Sequence, residues 1–167
     1  AIQLFPFRRG QTTTPADLTP EDIRRLVTQY RLAAKICADA NRHAVAYWKA
    51  GGLVTIHTNP ANPWTGKFEL AHREKLPNVL KTGMPENRAW TRSLDALSSH
   101  LAELRDAGVV VLWRPLHEMT FINCYWYDCG ACPDREVFKD LWRSMFRYMT
   151  YEKGLDNLLW VYSVADV

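Results

Sequence analysis

The residues best placed to do chemistry form one short string, Trp113-Arg114-Pro115-Leu116-His117-Glu118-Met119. A guanidinium, an imidazole and a carboxyl arrive together just after the apolar run at 109–113. Ionisable groups crowded at the end of a buried segment are costly unless they pair with one another or with a ligand. An Arg114–Glu118 pair bracing a rim would satisfy them. So would a site in which Glu118 serves as a general acid. In that second case apolar neighbours such as Trp113, Met119 and Phe121 favour the protonated carboxyl, whereas Arg114 favours the charged one. A smaller group, His57-Thr58-Asn59-Pro60, follows the apolar run at 53–56. His57 and Asn59 suit hydrogen bonding to hydroxyl groups, although a core histidine bonded to a carbonyl explains His57 alone equally well.

The cysteines offer a third pattern. Cys124, Cys129 and Cys132 are separated by four and two residues. A zinc site would need a fourth ligand, with His117 the nearest candidate. Cys129-Gly130-Ala131-Cys132 lies in a loop without a thioredoxin-like pattern around it, which leaves a loop-bracing disulfide or free thiols. His43, His72 and His100 fall on helical or loop stretches and are expected to be solvated. Neither common glycine-rich phosphate loop is present, so a dinucleotide or nucleoside triphosphate site is not expected, nor any other cofactor or metal.

The elements that carry these groups repeat one grammar: an amphipathic helix, a glycine, then a short apolar run. The first helix opens at Thr19-Pro20-Glu21-Asp22, where Thr19 can cap, Pro20 suits the first turn and the carboxylates complement the dipole. Its apolar stripe runs through Leu26, Tyr30, Ala34, Cys37, Val45 and Trp48 to Gly51-Gly52. The second helix carries Trp90, Leu94, Leu97, Leu101 and Leu104 and ends at Gly108. The third carries Phe138, Leu141, Trp142, Met145 and Met149 and ends near Gly154, before the run at 158–162. The three apolar runs do not alternate with polar residues, which predicts strands buried on both faces of a parallel sheet. Helix–strand units in series mean an α/β fold, either open and doubly wound or a closed eight-fold barrel. In both, function gathers past the carboxyl ends of the strands, where His57 and Arg114–Glu118 lie.

Composition narrows the class further. A length of 167 residues, 47% apolar and 23% charged, suits one globular domain and excludes a disordered chain. The net charge of +3 is scattered, with no basic arm for nucleic acid. No apolar stretch approaches the ~20 residues of a membrane span. The opening Ala1-Ile2-Gln3-Leu4-Phe5-Pro6 lacks the basic start and cleavage site of a secretion signal.

Four blocks in order carry a resemblance: Gly51-Gly52-Leu53-Val54-Thr55-Ile56-His57 with Asn59-Pro60; Arg114-Pro115-Leu116-His117-Glu118-Met119; Leu141-Trp142-Arg143-Ser144-Met145; and Gly154-Leu155-Asp156-Asn157-Leu158-Leu159-Trp160-Val161-Tyr162-Ser163. Together they resemble glycoside hydrolase family 26, over roughly two thirds of the chain. The resemblance implies an α/β fold, a (β/α)8 barrel of which about strands 2 or 3 to 5 are present. Residues 1–167 then form a single domain, part of a glycoside hydrolase catalytic barrel. It implies a retaining endo-acting hydrolase cleaving β-1,4-mannosidic bonds, secreted, without nucleic-acid or membrane partners. Glu118 resembles the family's catalytic acid/base after strand four. Arg114 and His117 resemble residues that hold the sugar and the nucleophile, His57 one that lines the subsite of the scissile sugar, and Trp126 a sugar-stacking tryptophan.

The pattern departs from the family at Thr120-Phe121, where Asn-Gly is usual, and in the stretched patch Ile122-Asn123-Cys124-Tyr125-Trp126-Tyr127, which makes Tyr125 and Tyr127 rivals for stacking. Secretion would permit a Cys129–Cys132 or Cys124–Cys132 disulfide, with Cys37 free. The family's nucleophile follows strand seven, so it is expected past Val167, and residues 1–167 alone are expected to be inactive and marginally stable. Related readings are a β-glucanase, a β-1,3-xylanase or a non-catalytic carbohydrate-binding remnant.

Overall fold

The computed structural model describes residues 19–67, 73–116, 118, 126 and 135–163. The segment 2–7, His72, Asp166 and the three loop cysteines lie outside them, as do His117, Met119, Phe121, Tyr125 and Tyr127. The elements run α1 (Pro20–Lys49), β1 (Val54–Thr58), a 3-10 segment (Arg73–Leu80), α2 (Pro85–Asp106), β2 (Val111–Pro115), α3 (Arg135–Arg147), a π-helical turn (Tyr148–Glu152) and β3 (Leu158–Trp160). The three strands form a parallel sheet in the order β1-β2-β3.

The glycines stop the helices as the pattern anticipates. At the end of α2, Gly108 adopts φ +73° and donates to the Arg105 carbonyl at 2.8 Å, while Val109 N donates to Leu104 O at 2.9 Å. This pair closes the helix only if the glycine position is left-handed, where a side chain is strained. Gly51, with φ +86°, closes α1 in the same way: it bonds to Trp48 O, and Gly52 N bonds to Tyr47 O, both at 2.9 Å. Each stop turns the chain directly into a strand, so the repeated grammar is a repeated piece of geometry.

The strands differ from the expected ones in two respects. β1 and β2 extend further toward their carboxyl ends, because the ladder pairs His57 with Arg114 and Thr58 with Pro115. His57 and Arg114 are therefore strand residues, and the ladder ends where Pro115 has no N–H to offer. The second difference is burial. Val54, Val111 and Leu158 share one register and are buried, and Trp113 beside them is 1% exposed. The residues of the opposite parity are more open: Thr55 and His57 are exposed, Leu112 and Arg114 half-buried, and Leu159 is 53% exposed.

The runs are thus buried on one face. That face meets the helices: Trp160 lies edge-on to Trp142 and Phe146 of α3, with ring centroids 5.9 and 5.1 Å apart. Sequential parallel strands joined by right-handed crossovers carry both connecting helices on one side, which is the outer side of a barrel. The other face is the one a barrel turns inward.

The core between sheet and helices is built from Trp90, Leu94, Leu101 and Leu104 of α2, Phe138, Leu141 and Met145 of α3, and Leu76 and Val79 of the 3-10 segment. The sequence pattern did not announce that segment, which holds Pro77 in its middle. A cavity of about 460 Å³ opens beside β1, between Ala44 of α1 and Leu97 and Leu101 of α2. The last turn of α3 widens into a π-turn, and there Tyr148 donates to Asp95 Oδ1 of α2 at 2.6 Å. Lys153 reaches the same carboxylate oxygen at 2.6 Å and lies 5.0 Å over the Tyr148 ring.

Candidate active site

The site gathers at the carboxyl end of the inward face. Parallel register sets His57 beside Arg114 on neighbouring strands, about 4.8 Å apart at the backbone and pointing to the same side. Arg114 Nη2 donates to Ser163 Oγ, 2.9 Å away, in the segment after β3. A row of imidazole, guanidinium and hydroxyl thus runs from β1 across β2 to the segment after β3.

Beyond Arg114 the chain turns sharply. Leu116 and Glu118 adopt φ +48° and +56°, left-handed values that non-glycine residues rarely take. Such strain persists where the surroundings over-determine the backbone, and it clusters at functional sites. Leu116 is wholly buried and anchors the turn, while Glu118 is exposed. The turn therefore places Glu118 at the carboxyl end of β2, four residues past Arg114.

The loop after β1 is ordered from within. Asn62, 1% exposed, accepts from Trp64 N at 2.9 Å and Thr65 N at 3.3 Å. Trp64 Nε1 donates to Glu86 Oε1 at 2.9 Å, tying the loop to the first turn of α2. The Glu86 carboxyl is held below its usual range, chiefly by its own backbone N–H and further by Trp64. Asn59 Oδ1 is buried with no hydrogen-bond partner among the described residues, an unmet acceptor two positions past His57.

One expectation about the surroundings of the site is corrected by the packing. Trp113 does not surround Glu118; it occupies the opposite parity to Arg114 and packs under the helices. Trp126, which the resemblance assigns to sugar stacking, is wholly buried. Of the helical histidines, His43 is exposed and bonds to the Asp39 carbonyl at 2.7 Å, whereas His100 is half-buried rather than solvated. In the sequence Ser163 stands only as the last residue of a motif. Its signal was parity, since residues 159, 161 and 163 alternate onto the face that carries Arg114.

The profile described as Glycosyl hydrolase family 26 matches residues 12–167. The chain belongs to glycosyl hydrolase family 26. A mannan endo-1,4-beta-mannosidase of Bacillus subtilis is 39% identical over 134 residues, covering 74% of this chain and 36% of that protein. The solved structure of a Bacillus subtilis mannanase superposes with TM-score 0.70 at 32% identity, over 75% of this chain and 40% of the other. A beta-mannanase from a symbiotic protist of the termite Reticulitermes speratus, complexed with gluco-manno-oligosaccharide, superposes with TM-score 0.63 at 33% identity, over 73% and 38%.

The chain thus spans between a third and two fifths of the length of these family 26 proteins. Its sheet is a run of consecutive strands from the (β/α)8 barrel of the family, which accounts for the described helices lying on one face.

Proposed function

We propose that the chain carries the acid/base half of a retaining endo-β-1,4-mannanase site, in a secreted protein whose substrate is mannan or a related β-glycan. The observation that carries the reading is the pairing of His57 and Arg114 on the inward face, with Glu118 following four residues past Arg114 in a strained turn. Glu118 donates a proton to the glycosidic oxygen as the bond to the leaving sugar breaks. A second carboxylate, about 5–5.5 Å away on a later strand of the barrel, attacks the anomeric carbon from the opposite side. Glu118, now ionised, then takes a proton from the water that releases the glycosyl group.

His57 and Asn59 hydrogen-bond sugar hydroxyls, and Arg114 with His117 holds the sugar and the attacking carboxylate in line. Trp126 is the aromatic candidate for sugar contact in the segment after β2. The mannan preference is supported by the names of the relatives above.

Glu118→Ala in the full-length protein tests this. Mannan hydrolysis should fall by about 10²–10⁴-fold, substrates with a good leaving group should lose less, and azide should restore turnover by trapping the glycosyl intermediate. An equal loss across leaving groups with no azide product would overturn the role of Glu118. Reducing-sugar release from barley glucan or β-1,3-xylan but not mannan would overturn the substrate.

A further inference from the structure

We infer that Ser163 is a positioning residue for Arg114, a role that rests on the proposal that Arg114 faces the substrate. The hydrogen bond from Arg114 Nη2 to Ser163 Oγ is 2.9 Å long, half-buried, and joins positions 49 apart in sequence. Arg114 makes no ion pair among the described residues, so this bond is what orients its guanidinium there. A guanidinium carries five N–H donors in a rigid plane, on a stem with several rotatable bonds. Tying one terminal nitrogen to a fixed hydroxyl sets the plane and leaves the other donors directed.

The hydroxyl is itself fixed by the sheet. Trp113 pairs with Trp160, and Val161 N donates to Trp113 O at 2.8 Å, which locks the chain two residues before Ser163 against β2. His57 stands on the other side of Arg114 in the ladder. Arg114 is therefore held between neighbours on both strands, and the β3 end supplies the bond. Serine suits the task because its oxygen can accept from Arg114 while its own proton turns to a second acceptor. Without the bond, substrate must order the guanidinium as it binds, at a cost to each turnover.

The test compares Ser163→Thr with Ser163→Val in the full-length protein, two side chains of nearly the same shape that differ by the hydroxyl. Thr should keep kcat/KM within about twofold, and Val should lower it about fivefold with the melting temperature the same as for Thr. In an Arg114→Lys background the Thr/Val difference should vanish, since there is no guanidinium left to orient. Equal activity of Thr and Val, or the same ratio in both backgrounds, would overturn the inference.

Nitrogen-15 relaxation of the Arg114 guanidinium gives a readout that needs no turnover. Rotation about its Nε–Cζ bond should quicken in Ser163→Val and stay slow in Ser163→Thr, and unchanged rotation would also overturn it. Failure of the mannanase proposal is read separately, from Glu118→Ala, and leaves the relaxation result standing.

Discussion

Trp113 and Arg114 are bonded to each other, yet they belong to different regions of the protein. Trp113 faces the helices, is 1% exposed and shares its side of the sheet with Val54, Val111, Leu158 and Trp160. Arg114 faces the other way and shares its side with His57 and Leu112. The two faces obey different physics. On the helix side, apolar area removed from water stabilises the fold, and a lost side chain leaves a cavity. On the inward side a few polar groups are aligned by strand register, and their worth lies in where they point. A strand is the element that separates these roles with a single peptide bond.

The largest expected effect comes from the covered face. Trp113→Ala should destabilise the protein by about 3–5 kcal/mol through the cavity it leaves. Arg114→Ala should leave the melting temperature nearly unchanged and lower kcat/KM. Paired melting curves and initial rates check this, and two variants that lose stability equally would end the distinction between the faces.

Trp126 sharpens the boundary, since it was expected to stack on sugar and is found buried. Trp126→Ala should cost about 3 kcal/mol of stability if its ring is packing. A raised KM for manno-oligosaccharides with an unchanged melting temperature would return it to the sugar site.

The smallest effect belongs to the tie between α2 and the π-turn. The Asp95 carboxyl is held below its ordinary value of 3.8, first by Lys153 and then by Tyr148, against the opposing effect of burial. A carboxyl lowered on folding contributes stability that is complete above its unfolded value and is lost as pH falls through the folded one. Asp95→Asn should therefore lower the melting temperature by about 1–3 °C near neutral pH, and the gap should close below pH 3.8. The effect stays small because the Asp95 side chain is 45% exposed and solvent screens the pair. Mannan hydrolysis should be unaltered, as nothing on the inward face is touched. A gap that persists in acid would show that shape rather than charge makes the contact.

Much of the fold was legible because periodicity and punctuation are local. Leu94, Leu101 and Leu104 recur at helical steps, and Gly108 must follow them because the left-handed stop admits little else. The succession of helix, glycine and apolar run was enough to name a parallel α/β sheet. The grouping of Arg114 with Glu118 was legible for the same reason, being contained in one turn of chain. The 3-10 segment at Arg73–Leu80 was not, because Pro77 and its short length hide its two buried contacts, Leu76 and Val79, from any periodic template. The one-sided burial of the strands was not legible either. An apolar run such as Leu158-Leu159-Trp160 reads the same whether its second face meets helices or a barrel interior.

By itself the sequence determined the residue types of the site, the helix stops, the parallel α/β class and, through four ordered motifs, the family. Tertiary structure decided which of two adjacent side chains faced inward, that His57 stands beside Arg114, that Ser163 reaches it, and that Trp126 is covered. The reason is geometric. Types and turns are fixed by neighbours along the chain, whereas register is set by hydrogen bonds between strands whose partners lie 47 and 57 residues apart, and a shift of one residue would exchange the faces.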